Sequence, residues 1–243
     1  NFAFVGDPGV GKSTVMLDVL ADLQANGQKC LFISGEMTSI DMFGYVKRFP
    51  KFGQLDILFL GDYIEKDPII VLKSVLAQGF DVVLIDSMAE VCTNIVDFHG
   101  GTFKNAESQV LNLLEKHNKA ENIAKKNTSF MIIQQVTKGG EFAGSNRFKH
   151  MLTAMGHLKF TEGSRVNYIL ALTRKTMLDG YLLKQWMLNK ILTTHNQPSF
   201  SKRASAFGGQ KQVMEEVETI TDEIVNASYT NAFDLLIGNT DFD

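Results

Sequence analysis

The stretch Gly6-Asp7-Pro8-Gly9-Val10-Gly11-Lys12-Ser13-Thr14 (GDPGVGKST) decides the fold, because the apolar run Phe2-Ala3-Phe4-Val5 leads into it and a helical pattern leads out. Gly6, Gly9, Gly11, Lys12 and Ser13 fill the phosphate-binding pattern G-x-x-x-x-G-K-[ST] between a strand and a helix. Gly9 and Gly11 let successive backbone N–H groups turn inward around a phosphate, and the following helix adds the positive end of its dipole. Lys12 is placed to reach the β and γ phosphates, and the Ser13 hydroxyl is a ligand for Mg²⁺. Asp7, Pro8, Val10 and Thr14 complete the loop, so ATP and Mg²⁺ are the expected cofactors.

Downstream, the pattern of a parallel α/β sheet repeats. Val15, Met16, Val19, Leu20 and Leu23 recur at helical spacing and stop at Asn26-Gly27. Lys29 to Ser34 reads as a buried strand followed by Gly35-Glu36, where open parallel sheets place their ligands, so Glu36 is either a general base or an ordinary loop carboxylate. A helix is expected over Ile40 to Phe49, and another from the Asp67-Pro68 cap to about Gln78. Asp81 to Ile85 is an apolar strand ending in Asp86-Ser87, a carboxylate suited to the water shell of Mg²⁺. Cys92 to Asn105 reads as a long polar loop, and Ala106 to Lys126 as an amphipathic helix with Val110, Leu113, Leu114 and His117 on one side. Ser129 to Gln134 is the next strand. Gln135 at its exit is either a γ-phosphate sensor or an amide satisfied by backbone. Asn146 to Met155 is expected to be a short helix. His157–Phe160, Val166–Leu172 and Leu182–Leu188 alternate like hairpin or sheet-edge strands, and Trp186 reads as core.

The 243 residues, 44% of them hydrophobic, suffice for one α/β domain. No run approaches the roughly 20 apolar residues that span a bilayer, so a soluble, cytoplasmic protein with no membrane partner is expected. Cys30 and Cys92 form no metal-type pair, as in a reducing compartment, and the histidines show no ligand spacing. The chain opens almost on its first core strand, so residues upstream of Asn1 are expected. The net charge of −3 conceals an uneven distribution. Residues 1–137 carry 12 Lys+Arg and 16 Asp+Glu, residues 138–203 carry 11 and 3, and residues 204–243 carry 1 and 8. A middle block of +8 is either a solvated face or the footprint of a polyanion site, and the tail is acidic.

The order of these features, phosphate loop, strand with Gly-Glu, strand ending in Asp, strand ending in Gln, resembles the RecA-like ATPase core. In detail the chain resembles the bacterial RadA/Sms DNA-repair ATPases over about residues 2–175. The matching stretches are GDPGVGKST (6–14), CLFISGEMT (30–38), LIDSM (84–88), QQVTKGGEFAGSNRFKHML (134–152) and FTEG (160–163). It departs from them in showing neither a four-cysteine zinc module before the core nor a large domain after it. Gln135 stands where that family has histidine, and its basic motif is degenerate at Thr173-Arg174-Lys175-Thr176-Met177. The resemblance therefore implies a divergent or truncated relative.

Its implications are specific. The fold is a three-layer RecA-like core with a mostly parallel twisted sheet and antiparallel strands at one edge, spanning 1–196. Composition and the weakening pattern, not the resemblance, point to an acidic tail over residues 197–243, partly helical or disordered. The activity is DNA-stimulated ATP hydrolysis in repair or recombination, of branch-migration type, with Glu36 activating water and Gln135 coupling the γ-phosphate to residues 138–149. Lys138, Arg147 and Lys149 hold single-stranded or branched DNA, and self-association into a ring or filament lets Arg174 or Lys175 complete a neighbour's site. Two other readings stay open, a replicative-helicase ring ATPase and an ATP-gated assembly module without DNA. Stimulation of hydrolysis by single-stranded DNA, with and without residues 204–243, separates them.

Overall fold

The computed structural model describes residues 1–136, 143–161, 164–171, 176–179 and Ile191, with the backbone alone between residues 159 and 179. The expectations for Lys138, Arg174, Lys175, the strand Leu182–Leu188, Trp186 and the acidic tail lie outside the described residues.

Strand β1 (Phe2–Gly6) runs into the phosphate loop and helix α1 (Lys12–Ala25). There follow β2 (Cys30–Ser34), α2 (Ser39–Arg48), β3 (Asp56–Phe59), α3 (Pro68–Leu76) and β4 (Val82–Asp86). The chain continues through α4 (Met88–His99), α5 (Phe103–Asn118), β5 (Ser129–Gln135), α6 (Asn146–Met151), β6 (Ala154–Thr161), β7 (Ser164–Ala171) and β8 (Thr176–Asp179). The strands form one sheet in the order β3-β2-β4-β5-β1-β6-β7-β8. Pairing is parallel from β3 through β6, and β7 and β8 add antiparallel hairpin strands beyond it.

Period-two alternation divides the strands between two cores. Cys30, Phe32, Val82, Leu84, Met131 and Ile133 join one core with α1 and α2. Leu31, Ile33, Val83, Ile85, Phe130 and Ile132 join the other with α3, α4 and α5. The result is three layers. On α1, Met16, Leu17, Val19, Leu20 and Leu23 are fully buried, each stabilising by about 1.5–3 kcal/mol before the entropy of ordering is charged against it.

Three boundaries differ from the sequence expectation. Residues 92–105 are not a loop, and Cys92 lies buried on α4. Ser87 caps that helix by accepting the Glu90 N–H at 3.4 Å, and Val91, Cys92 and Ile95 form its buried stripe. Only Gly100 and Gly101, at φ 72° and 96°, make the turn before Thr102 caps α5, so the two glycines punctuate two helices. Helix α5 ends at Asn118 and not at Lys126, with Ala120 and Lys125 in left-handed conformations. Helix α6 stops at Met151 because β6 begins at Ala154, which pairs with Phe2 of β1. Among the described residues no helix is long and apolar enough to cross a membrane.

Candidate nucleotide site

The carboxyl ends of β2, β4, β5 and β1 lie side by side in the sheet, since Ser34 pairs with Asp86 and Gly6 with Gln135. This is the edge at which open parallel sheets bind ligands. Each strand delivers one of the residues singled out from the sequence: Glu36 two residues past Ser34, Asp86 at its own strand end, Gln135 at the end of β5, and the glycine-rich loop after β1.

The loop has the geometry its glycines permit. Gly9 and Gly11 have φ of 77° and 93°, in the left-handed region. Gly6 is required for another reason, because a Cβ there would stand 2.4 Å from the Leu158 carbonyl oxygen of β6. Val10 anchors the loop by burying its side chain in the first core, while Asp7, Pro8 and Gly9 are exposed. Lys12 bends back over the loop, donating to the carbonyl oxygens of Gly6 and Asp7 at 2.9 and 3.0 Å. Partial burial lowers the pKa of its ammonium, against the opposing pull of Asp86, Glu36 and Asp7.

Asp86 is 3% exposed and accepts the Ser13 hydroxyl at 2.5 Å, which joins the start of α1 to the tip of β4. Burial raises its pKa to about 6 in spite of that hydrogen bond; Glu36 pushes the same way and Lys12 opposes. The Gly35 N–H donates to the Asp86 carbonyl oxygen at 2.7 Å and sets the start of the loop that carries Glu36. Gln135 extends its side-chain amide to Glu36, with Nε2 3.2 Å from Oε1, and both residues are exposed. Lys12, Ser13, Glu36, Asp86 and Gln135 thus converge on one edge. Thr14 is half-buried in the first turn of α1.

The basic residues are less simply placed. Arg147, on α6, donates to Asn112 Oδ1 at 2.6 Å and pairs with Glu115 Oε2 at 3.2 Å, both on α5. Its guanidinium is engaged within the chain. Lys149 is exposed on the same short helix.

Two residues beside this edge escaped the reading of the sequence. Gln134 is 1% exposed and donates to the Ala143 carbonyl. Glu107 is 3% exposed and accepts the Ser145 N–H at 3.1 Å. The available signal was a carboxylate beside Ala106 on the helix side that buries Val110 and Leu114.

The chain is 31% identical over 161 residues to the DNA repair protein RadA of Listeria monocytogenes, an alignment covering 66% of this chain and 32% of that one. It is 28% identical over 173 residues to RadA of Rickettsia bellii, covering 67% and 34%. It spans about a third of the length of these curated relatives. The flagellar accessory protein FlaH of Methanocaldococcus jannaschii superimposes with a TM-score of 0.43 at 11% identity, over 70% of this chain and 76% of that one. No protein-family model matches the sequence. Over about a third of their length, then, the RadA proteins are what this chain resembles, and the resemblance falls on a phosphate loop set in a three-layer, mostly parallel sheet.

Proposed function

We propose that this chain is a DNA-dependent ATPase of the repair and recombination type, which hydrolyses ATP in response to a bound DNA strand. The observation that carries this reading is the convergence of Lys12, the Ser13–Asp86 pair and the Glu36–Gln135 pair at the ends of neighbouring parallel strands. The phosphates of ATP lie against the N–H groups of residues 9–14 and the Lys12 ammonium, which leaves the Gly6 and Asp7 carbonyls for them. Ser13 and Asp86 are hard oxygen donors in contact with each other and fit Mg²⁺, with Ser13 as ligand and Asp86 acting through water. Bound there, Mg²⁺ supplies neutralisation of the charge that develops on the phosphate oxygens.

Glu36 orients the attacking water and takes its proton, the exposed carboxylate having room to do so beside the loop. Gln135, whose amide touches Glu36, responds to the γ-phosphate and passes its presence toward residues 138–149. Lys138, Arg147 and Lys149 hold the DNA backbone, with Arg147 exchanging Glu115 and Asn112 for phosphate. Arg174 or Lys175 completes the site of a neighbouring copy in a ring or filament, where a cation supplied in trans contributes roughly 10³–10⁵ in rate.

The test is ATP turnover by the chain and by Lys12→Ala, each with and without single-stranded DNA. Turnover that rises with DNA and falls to background in the variant is the expected result. Unchanged turnover in Lys12→Ala overturns the site, and DNA-independent turnover overturns the DNA dependence.

A further inference from the structure

The last two residues of β5 face opposite ways, as successive strand residues do. Gln135 reaches Glu36 at the candidate nucleotide site. Gln134 reaches Ala143, across the gap in sequence between β5 and α6, and its donation to a carbonyl fixes which end of the amide carries the nitrogen. Two residues on, the Ser145 N–H meets the Glu107 carboxylate at 3.1 Å. Ser145 is also the cap of α6, its Oγ accepting the Phe148 N–H at 3.2 Å, and Phe148 is fully buried in the core shared with Ala106, Val110 and Leu111 of α5. The start of α6 is therefore tied to β5 through one buried side chain and to α5 through another.

Neither tie is what packing alone selects. A carboxylate at a buried helix position is costly unless its charge meets donors, and a leucine would fill the same place more cheaply. Among the described residues the buried Gln134 Oε1 has no hydrogen-bond partner.

We propose that Glu107 is a positioning residue that links the capped start of α6 to the candidate nucleotide site, through Ser145 directly and through Ala143 and Gln134 to the end of β5. The proposal rests on the nucleotide-binding reading above and adds to it the path by which occupancy of that site moves α6. Glu107 touches no reacting group. It holds Ser145 so that a shift at Gln135, carried along β5 to Gln134, is registered at the first turn of α6.

The experiment is an amide spectrum of the ¹⁵N-labelled full chain with and without Mg²⁺ and a non-hydrolysable ATP analogue. In the wild type the Gln135 side-chain amide and the Ser145 backbone amide both shift on addition. In Glu107→Leu the Gln135 amide still shifts and the Ser145 response is lost, while Glu107→Gln, which keeps an acceptor oxygen in place, restores it. Turnover in Glu107→Leu falls about tenfold at unchanged KM. If Glu107→Leu does not fold, Gln134→Leu removes the other tie and is read the same way. A wild-type chain that binds the analogue with Ser145 unmoved, or a leucine variant in which Ser145 responds as before, overturns the proposal alone. No response to the analogue anywhere in the wild type overturns the nucleotide site and the proposal with it.

Discussion

The two ends of the sheet are both polar, and they differ in how their polar groups are satisfied. At the amino ends of the strands Asn1 and Asn118 exchange side-chain hydrogen bonds at 2.7 and 2.9 Å, and Asn118 also donates to the Thr128 carbonyl at 2.7 Å. Thr128 donates to the Phe80 carbonyl at 2.7 Å, and Asp81 accepts the Lys29 N–H at 2.9 Å while pairing with Lys126. These are mostly neutral groups that close on one another. At the carboxyl ends, Lys12, Glu36 and Asp86 bring unlike and like charges together around a half-buried space, where burial raises one pKa and lowers another. Charged side chains from different strands and loops brought to one edge differ from a network in which amides and hydroxyls mostly satisfy one another.

Four outcomes break or sharpen that contrast. The largest is at the proposed nucleotide site, where Glu36→Gln is expected to lower ATP turnover by roughly 10²–10⁴ while nucleotide binding, measured by calorimetry, persists. Equal loss of both would make Glu36 structural.

Next is Gly6→Ala, whose Cβ meets the backbone of β6 and not a movable side chain. It destabilises the fold by about 3 kcal/mol in urea denaturation, and a neutral result would mean that β1 and β6 separate easily.

The third prediction uses pH, and its sign differs between the two ends. Folded Asp86 keeps its proton to about pH 6, against 3.8 ordinarily, so the native state binds more protons in that window and loses stability as pH rises through it. His117, near the seam, is depressed by burial from 6.5 to about 4, so its contribution is present above 6.5 and is lost as pH falls toward 4. Melting profiles of Asp86→Asn and His117→Phe without nucleotide are expected to diverge from the wild type in opposite directions. Asp86→Asn gains on the order of 2–3 kcal/mol at pH 7.5 and nothing at pH 4.

The smallest effect is on the flank. Arg147→Ala loses an exposed, solvent-screened ion pair, and its melting temperature is expected to stay close to that of the wild type. If Arg147 also contacts DNA, the same change reduces the salt slope of binding by roughly 0.7–0.9.

How much was legible in advance follows from what each residue depends on. The phosphate loop, the strand ends at Asp86 and Gln135 and the apolar face of α1 were readable because each is local: a glycine at positive φ, a run of buried residues, a spacing of three and four. The helix α4 was hidden because Gly100-Gly101 and their polar neighbours carry the same composition as a loop, and only its cap and buried stripe show otherwise. Gln134 and Glu107 were hidden for a different reason. A buried polar residue is intelligible only through its partner, and theirs lie 9 and 38 residues away in sequence.

By itself, then, the amino-acid order determined where the glycine-rich loop turns and which strands are buried, since backbone sterics and hydrophobic periodicity act over a few residues. Only the tertiary structure decided that β1 inserts between β5 and β6, that Glu36 meets Gln135 across 99 residues, and that Arg147 turns to Glu115. Those arrangements depend on which strands become neighbours, and strand order is set by packing over the whole chain.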